Sequence, residues 1–170
     1  DASVPPINVL IVEDNSINLR ILEGLMKRLQ VRFQSAINGQ VAVDKWRAGG
    51  FHLVLMDIQM PVKNGLQATR EIRRLESDAG VGVRGARRQS PVIIVALTAS
   101  SLQSDRHEAL AAGCNDFLTK PVNFVWLERK MKEWGCMQAL IDWQGWRSWS
   151  GYADGGDKEE EGRGEDKGGK

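Results

Sequence analysis

Acidic, hydroxyl and amino side chains follow four apolar segments of this sequence, each at the point where the segment ends. Glu13 and Asp14 follow one segment, Asp57 closes another, and Thr98 and Lys120 end two more. Three carboxylates brought to one spot would repel each other strongly unless a hard cation lay among them. Mg²⁺ fits because it prefers oxygen ligands, keeps several waters, and binds through one or two carboxylates plus a phosphate. These residues therefore predict a magnesium site that handles a phosphoryl group.

Asp57 is the candidate reacting group of this set. A cation beside it would neutralise the oxygens of an incoming phosphoryl group and orient them for in-line attack by the carboxylate. Lys120 would offer a positive charge to a second phosphoryl oxygen, and Thr98 a hydroxyl hydrogen bond to a third. Any one of these residues alone is more often a loop, cap or solvated residue, and their shared position at the ends of successive strands is what favours function.

The elements that must position these residues alternate along the chain. Leu53 to Asp57 is an unbroken apolar run too short for a helix, which is typical of a strand buried on both faces, and Pro61 stops the strand from continuing. Further strands are predicted over 7–12, 31–36, 92–97 and 116–119. Helices are predicted from a cap at Asn15 or Ser16 to Leu29, and over 40–48, 66–76, 102–112 and 123–134. This alternation predicts a doubly wound α/β fold of the flavodoxin-like kind, with a five-stranded parallel sheet, helices on both faces, and ligands at the carboxyl ends of the strands.

Composition excludes several classes of protein. The net charge of the 170 residues is +1, which gives no indication of nucleic-acid binding. Apolar runs stay well below the roughly 18 residues that a membrane helix needs, and the amino terminus lacks the layout of a signal peptide. Cys114 and Cys136 show no metal-ligand spacing and fit a reducing compartment. We expect a cytoplasmic protein with no membrane partner.

The chain divides into four parts by composition. Residues 1–6 form an amino-terminal extension that begins without Met, which suggests a piece of a longer protein. Residues 7–135 form the globular domain, in which the glycine-rich stretch 77–89 is expected to be a surface loop. Residues 136–150 form a Trp-rich extension, in which Trp143, Trp146 and Trp149 would share a helical face. Residues 151–170 contain almost nothing apolar and are expected to be disordered.

The first predicted helix carries a second apolar face. Leu19, Leu22, Met26 and Leu29 recur at the spacing of a buried stripe, whereas Ile17, Ile21 and Gly24 share a different face. Two exposed Ile residues are more than solubility favours, and Gly24 would let another backbone come close. This face predicts a protein-docking surface beside Asp57. The alternative is that Ile17 only staples the start of the helix and Ile21 packs beneath the fifth helix.

These motifs together resemble those of the receiver domains of two-component response regulators. The resemblance lies in Glu13-Asp14-Asn15, in Asp57 followed by Met60-Pro61 and Asn64-Gly65, in Thr98-Ala99, and in Lys120-Pro121. Over Ser90 to Pro121 the sequence is most similar to the fungal "suppressor of sensor kinase" group of these regulators.

The resemblance implies a function and a set of roles. Asp57 would be the phosphoacceptor, and Mg²⁺ would be held by Glu13, Asp14, Asp57 and the backbone carbonyl of Gln59. Thr98 and Lys120 would hold the phosphoryl group, Phe117 would change rotamer when Thr98 moves, and the Lys120-Pro121 bond would be cis. The implied partners are a histidine-phosphotransfer protein upstream, docked on Ile17, Ile21 and Gly24, and a mitogen-activated protein kinase kinase kinase downstream in osmotic-stress signalling. The protein would then be a signalling phosphoacceptor and not an enzyme that turns over a substrate.

Other classes of protein share parts of this pattern. A phosphohydrolase of the haloacid dehalogenase type also attacks with an Asp after a strand, but it needs an acid/base Asp two residues later, where this chain has Gln59. A flavin carrier of the flavodoxin type would need a phosphate loop after the first strand, where this chain has Glu13 and Asp14. A receiver module of a hybrid histidine kinase and a receiver that no longer takes phosphate also remain open.

Overall fold

The computed structural model describes residues 6–81 and 90–141. Within them lie five strands: β1 (Asn8–Val12), β2 (Arg32–Ala36), β3 (Leu53–Asp57), β4 (Ile93–Thr98) and β5 (Asp116–Thr119). The helices are α1 (Ser16–Arg28), α2 (Gly39–Ala48), α3 (Gly65–Asp78), α4 (Gln103–Ala112) and α5 (Phe124–Ile141). The predicted helical face of Trp143, Trp146 and Trp149, the disordered tail and most of the predicted glycine-rich loop lie outside the described residues.

The five strands form one parallel sheet in the order β2-β1-β3-β4-β5. The order reverses between β1 and β3, so the loops that follow these two strands leave toward opposite faces of the sheet. A crevice at such a reversal is where open α/β sheets bind ligands. The predicted fold class is therefore confirmed, and the reversal places the end of β1 beside the end of β3.

Side chains that alternate along the strands pack two separate cores, one on each face. Leu10 and Met56 belong to the core that α2, α3 and α4 cover, whereas Ile11 and Leu55 belong to the core under α1 and α5. All five residues of β3 are buried, which explains why this strand is apolar without alternation. The central strand is thus fixed on both faces, and Asp57 at its end has little freedom to move.

The core stripe of α1 differs from the predicted one. The buried residues of this helix are Leu22, Leu25 and Met26, whereas Leu19 and Leu29 are only partly buried. The prediction missed Leu25 because it followed a narrow stripe, and a helix packed on a sheet buries a wider one. Asn15 is the cap, since its side chain accepts hydrogen bonds from the backbone N–H groups of Ile17 and Asn18 at 3.0 Å each.

Helix α5 continues to Ile141, seven residues beyond its predicted end at Trp134. Gln138 explains the continuation, because its buried amide donates to the carbonyl oxygens of His52 at 3.0 Å and Pro91 at 2.9 Å and accepts from the Ser90 hydroxyl at 3.0 Å. The predicted division of the chain after residue 135 falls inside this helix and stays a prediction. None of the helices in the described residues is long and apolar enough to cross a membrane.

Gly65 allows α3 to begin directly against the end of β3. A Cβ atom at this position would lie 2.1 Å from the carbonyl oxygen of Asp57, whereas a Cβ on Gly24 of α1 would meet nothing within 4 Å. A side chain cannot fit at Gly65 without a shift of the backbone, whereas it can fit freely at Gly24. The two glycines therefore form a matched pair for comparison.

We expect Gly65→Ala to lower the free energy of unfolding by about 1–3 kcal/mol, because the added methyl group cannot fit without moving the backbone at Asp57. Gly24→Ala should raise it by about 0.5–1 kcal/mol, because Ala favours the helix and meets no obstacle. Urea unfolding followed by circular dichroism measures both values. Equal effects of the two substitutions would contradict the close approach at Gly65.

Candidate functional site

A polar cavity of about 350 Å³ opens at the carboxyl ends of β1, β3, β4 and β5. Parallel strands deliver their ends to one edge, so residues distant in sequence meet here. The predicted Glu13, Asp14, Asp57, Gln59, Thr98 and Lys120 all line this cavity, together with Asn15, Asn18, Ile58, Leu97 and Ala99. The edge of the sheet therefore brings together every residue predicted to handle the metal and the phosphoryl group.

Three carboxylates form a compact cluster in this cavity. Glu13, Asp14 and Asp57 each present an oxygen, and these oxygens lie within 4.8 Å of one another. Glu13 and Asp57 are buried, whereas Asp14 is exposed at the mouth. Oxygen ligands at this separation suit a hard divalent cation, and the exposed side leaves room for the waters that Mg²⁺ keeps. The three carboxylates therefore fit Mg²⁺ by the chemistry and spacing of their oxygen atoms.

Lys120 bridges the two buried carboxylates. Its Nζ atom lies 3.0 Å from Oε2 of Glu13 and 3.2 Å from Oδ1 of Asp57. Burial opposes the charged form of this amine, but the hydrogen bond to Glu13 and the negative charges of Asp57 and Glu13 outweigh burial and raise the pKa of Lys120. The amine is therefore a fixed positive charge. The Lys120-Pro121 bond is cis, as the resemblance implies.

Asp57 is held in an environment that disfavours its charge. Burial and then the negative charge of Glu13 raise its pKa from 3.8 to about 6, against the opposing effect of Lys120. The backbone N–H of Gln59 lies 3.3 Å from Oδ1 and gives a weak hydrogen bond. A cation bound among the carboxylates would relieve this repulsion and keep Asp57 ionised, which is the form that attacks phosphorus.

Thr98 and Phe117 occupy positions that can link the cavity to the face of α4 and β5. The Thr98 hydroxyl oxygen accepts the backbone N–H of Ser100 at 3.0 Å, so it stabilises the start of the loop after β4. Phe117 is partly buried against the core under α4, and the guanidinium carbon of Arg106 lies 4.7 Å from the centre of its ring. The rotamer change predicted for Phe117 stays a prediction.

The predicted docking residues lie on the surface of α1. Ile17 is 69% exposed and Ile21 46% exposed, and Gly24 is exposed as well. An apolar groove of about 520 Å³ runs from Ile21 past Lys120 to Pro121, Val122 and Phe124, the first residue of α5. Because Ile21 lines this groove together with Phe124 of α5, the alternative that it packs against the fifth helix stays open. The docking role itself stays a prediction.

Sequence reasoning assigned no role in the cavity to five of its lining residues: Asn15, Asn18, Ile58, Leu97 and Ala99. Asn18 lies four residues after Asp14, in the first turn of α1, and its side chain returns to the cavity mouth. This spacing was a usable signal. Ala99 carried no chemical signal of its own, because its side chain is a single methyl group.

A family model for the response regulator receiver domain matches residues 9–132. The chain belongs to the response regulator receiver family. The described geometry agrees with this, since the acidic cluster, Thr98 and Lys120 meet at the switch point of the sheet. The resemblance that the motifs carried is confirmed at the level of the family.

Fungal relatives show which group within the receiver family this chain resembles. "Response regulator SSK1" of Cochliobolus heterostrophus is 64% identical over 184 residues, covering 91% of this chain and 23% of the relative. "Osmolarity two-component system protein SSK1" of Saccharomyces cerevisiae is 49% identical over 158 residues, covering 84% of this chain and 22% of the relative. The chain thus spans about a quarter of the length of these curated relatives. The similarity to the fungal "suppressor of sensor kinase" group is confirmed.

Solved structures agree with the sequence relatives. The receiver domain of yeast Ssk1, crystallised with the histidine phosphotransfer protein Ypd1, superimposes with a TM-score of 0.78 at 52% identity, covering 85% of this chain and 99% of that chain. The receiver domain of the Pseudomonas aeruginosa sensor histidine kinase PA1611 was crystallised with magnesium in its active-site cleft. It superimposes with a TM-score of 0.64 at 34% identity, covering 77% of this chain and 98% of that chain. Both receivers share the fold described above.

The raised pKa of Asp57 predicts how stability depends on pH. Its folded value of about 6 lies above the ordinary 3.8, so its contribution to stability is fully present below about pH 4 and is lost as the pH rises through 6. Asp57→Asn cannot ionise, so without Mg²⁺ it should raise the free energy of unfolding by about 2 kcal/mol at pH 7 and change little at pH 4.

Denaturant titrations of both proteins between pH 4 and pH 8 measure this difference. Saturating Mg²⁺ should reverse the order at pH 7, because the cation stabilises the wild type through Asp57 and gains less from an amide. A difference that does not change with pH would contradict the repulsion at Asp57.

Proposed function

We propose that this chain is a phosphorelay receiver in which Asp57 accepts a phosphoryl group from a phosphohistidine. One observation supports this most: a buried carboxylate with a raised pKa lies in a cluster of acids and touches a fixed amine. In the transfer, a carboxylate oxygen of Asp57 forms a bond to phosphorus as the phosphorus–nitrogen bond breaks. The imidazole leaves with the bonding pair, and the product is an acyl phosphate.

The residues around Asp57 divide the work of this step. The Mg²⁺ ligands would be Glu13, Asp14, Asp57 and the backbone carbonyl of Gln59. When bound, the ion would neutralise negative charge on the phosphoryl oxygens. The Lys120 amine would move from the Glu13 and Asp57 carboxylates toward a phosphoryl oxygen, because the new dianion is the stronger partner. Burial of Asp57 lowers the effective dielectric around the reacting carboxylate and so strengthens each of these interactions.

Thr98 would carry the signal away from the site. The Thr98 hydroxyl now donates to the backbone carbonyl oxygen of Ser100 over a long 3.4 Å. A phosphoryl oxygen is a stronger acceptor, so the hydroxyl would turn toward it and give up this carbonyl. The loop before α4 would then change, and Phe117 would move into the space that Thr98 leaves. The face of α4, β5 and α5 would thereby differ between the two states.

The partners follow from the fungal relatives and from the exposed faces. The yeast relative was crystallised with its histidine phosphotransfer protein, and α1 of this chain presents Ile17 and Ile21 beside the cavity. We assign this face to such an upstream partner. The downstream partner would be a mitogen-activated protein kinase kinase kinase of a stress cascade, a role supported by the similarity to an osmolarity two-component protein.

Substitutions at three residues separate the steps of phosphotransfer. Asp57→Asn should abolish phosphoryl incorporation because it removes the nucleophile. Asp14→Ala should lower the apparent affinity for Mg²⁺ by about tenfold, the equivalent of one charge pair near the surface. Lys120→Ala should keep Mg²⁺ binding and slow transfer by about a hundredfold.

Incorporation of labelled phosphate from acetyl phosphate, with and without Mg²⁺, measures these effects. Undiminished incorporation in Asp57→Asn would show that the reacting residue lies elsewhere. Continuous release of phosphate from organic phosphate esters, at many turnovers per chain, would favour a phosphohydrolase.

The docking face has its own test, in the double substitution Ile17→Ser and Ile21→Ser. Loss of two exposed apolar side chains from the interface should slow transfer from phosphorylated Ypd1 by about tenfold or more. Transfer from acetyl phosphate should stay at the wild-type rate, because the cavity is unchanged. Equal losses from both donors would indicate misfolding, and no loss from either donor would remove α1 from the docking surface.

A further inference from the structure

Arg106 of α4 lies over the face of the Phe117 ring of β5. Its guanidinium carbon is 4.7 Å from the ring centre, a distance at which the positive charge is attracted to the electrons of the ring. Arg106 is half-buried and takes part in none of the ion pairs formed by the described residues. Its charge is therefore directed to an aromatic ring and not to a carboxylate.

The Nε–H group of Arg106 is left without an acceptor by this arrangement. The Nε atom is buried, and it donates to no atom of the residues that the structure describes. A buried N–H without an acceptor is costly, because it loses its hydrogen bonds to water and gains none in return. The guanidinium thus stays over the ring at a cost, and any movement that brings Nε to water or to an acceptor removes that cost.

The first half of α4 has few other contacts that fix it to the sheet. The buried residues of this helix are Ala109 and Ala112, both in its second half. Its N-cap is Leu102, which offers no side-chain acceptor to the first turn, whereas Asn side chains cap α1, α2 and α3. The contact between Arg106 and Phe117 thus ties α4 to the sheet where apolar burial is small.

Phe117 connects this contact to the phosphoryl site. In the parallel pairing of β4 and β5, Phe117 lies beside Ala96, two residues before Thr98. Residues two apart on a strand share a face, so Ala96 and Thr98 both lie on the face where Phe117 packs under α4. Ala96 is small, and a step of the ring toward Thr98 would pass over its methyl group. Such a step would take the ring out from under the guanidinium of Arg106.

We propose that Arg106 is a positioning residue of the switch: it holds Phe117 in the unphosphorylated arrangement and thereby weakens the uptake of a phosphoryl group at Asp57. This inference rests on the proposed phosphoacceptor function. A contact made only in the unphosphorylated arrangement must break before the protein can adopt the other one, so it lowers the affinity for the phosphoryl group by the same factor. The unpaired Nε limits this factor, because breaking the contact relieves a buried N–H.

Arg106→Met removes the charge and keeps a long apolar side chain, so it tests the contact with the ring. The probe is beryllofluoride, a phosphoryl mimic that binds to aspartate in the presence of Mg²⁺. Its apparent dissociation constant should fall by about threefold to tenfold in Arg106→Met, as expected for the loss of one partly exposed cation–π pair. Loss of a positive charge would by itself weaken the binding of an anion, so electrostatics alone predicts the opposite direction.

The Phe117 ring reports the contact directly. In Arg106→Met without beryllofluoride or Mg²⁺, the aromatic NMR signals of Phe117 should shift toward their positions in the wild type bound to the mimic, because more molecules adopt the released arrangement. Phe117→Leu removes the ring. In that background Arg106→Met should change the affinity for beryllofluoride by less than about twofold, because the two substitutions act on one contact.

Two further variants complete the test. Arg106→Lys keeps the positive charge without the planar group that stacks on a ring, and its affinity for beryllofluoride should lie between those of the wild type and Arg106→Met. Arg74→Met removes an exposed arginine of α3 and should leave the affinity unchanged.

The outcomes distinguish this inference from the proposed function. Unchanged or weaker binding of beryllofluoride by Arg106→Met, or an equal gain of affinity in the Phe117→Leu background, would overturn the positioning role of Arg106 and leave the phosphoacceptor intact. A lower urea midpoint in Arg106→Met with unmoved Phe117 signals and unchanged affinity would also overturn it, because the contact would then only stabilise the fold. If wild-type protein bound no beryllofluoride in the presence of Mg²⁺, the proposed function itself would fail.

Discussion

The repulsion between two buried carboxylates is the interaction on which this site depends. Glu13 and Asp57 end neighbouring strands, both are buried, and Lys120 lies between them within 3.2 Å of each. Burial and then the negative charge of Glu13 raise the pKa of Asp57 to about 6, and the Lys120 amine offsets them only in part. The cavity is thereby prepared for additional positive charge and for an electrophile that takes up the negative charge of Asp57. The fold maintains this unfavourable arrangement because the apolar cores on both sides of β3 fix its end.

The same constraint extends into the loops around the cavity. The segment after β3 must turn sharply to keep its backbone near Asp57 and then begin α3 against the carbonyl oxygen of that residue. Gly65 permits the close approach, Gly39 of α2 binds the loop from the side, and Val62 takes a strained left-handed conformation between them. The loop after β4 is held by side-chain hydroxyls, since Thr98 accepts the N–H of Ser100 at 3.0 Å and Ser100 accepts the N–H of Leu102 at 3.2 Å. A rigid loop next to the acceptor and a releasable loop next to Thr98 suit a site that receives a group on one side and reports it on the other.

The two ends of the sheet differ in how well their polar groups are compensated. The carboxyl ends of the strands gather charge that is poorly compensated, whereas at the amino ends Gln138 satisfies three polar groups with good hydrogen bonds and ties α5 to the residues before β3 and β4. Stability is thus concentrated away from the chemistry. The exposed apolar residues of α1 and the groove toward Phe124 border the charged end, where a partner would exclude water from the transfer.

The sequence by itself determined the order of elements, the fold class and the acidic, hydroxyl and amino residues of the cavity, because a period of two or 3.6 and a polar residue at the end of each apolar run are local signals. It also indicated the exposed face of α1. Only the tertiary structure decided that Leu25 joins the core and that α5 continues to Ile141 through the contacts of Gln138. It alone revealed the strain at Val62. Each of these depends on which surfaces meet across the sheet, and packing between distant segments is not encoded in the spacing of residues along one of them.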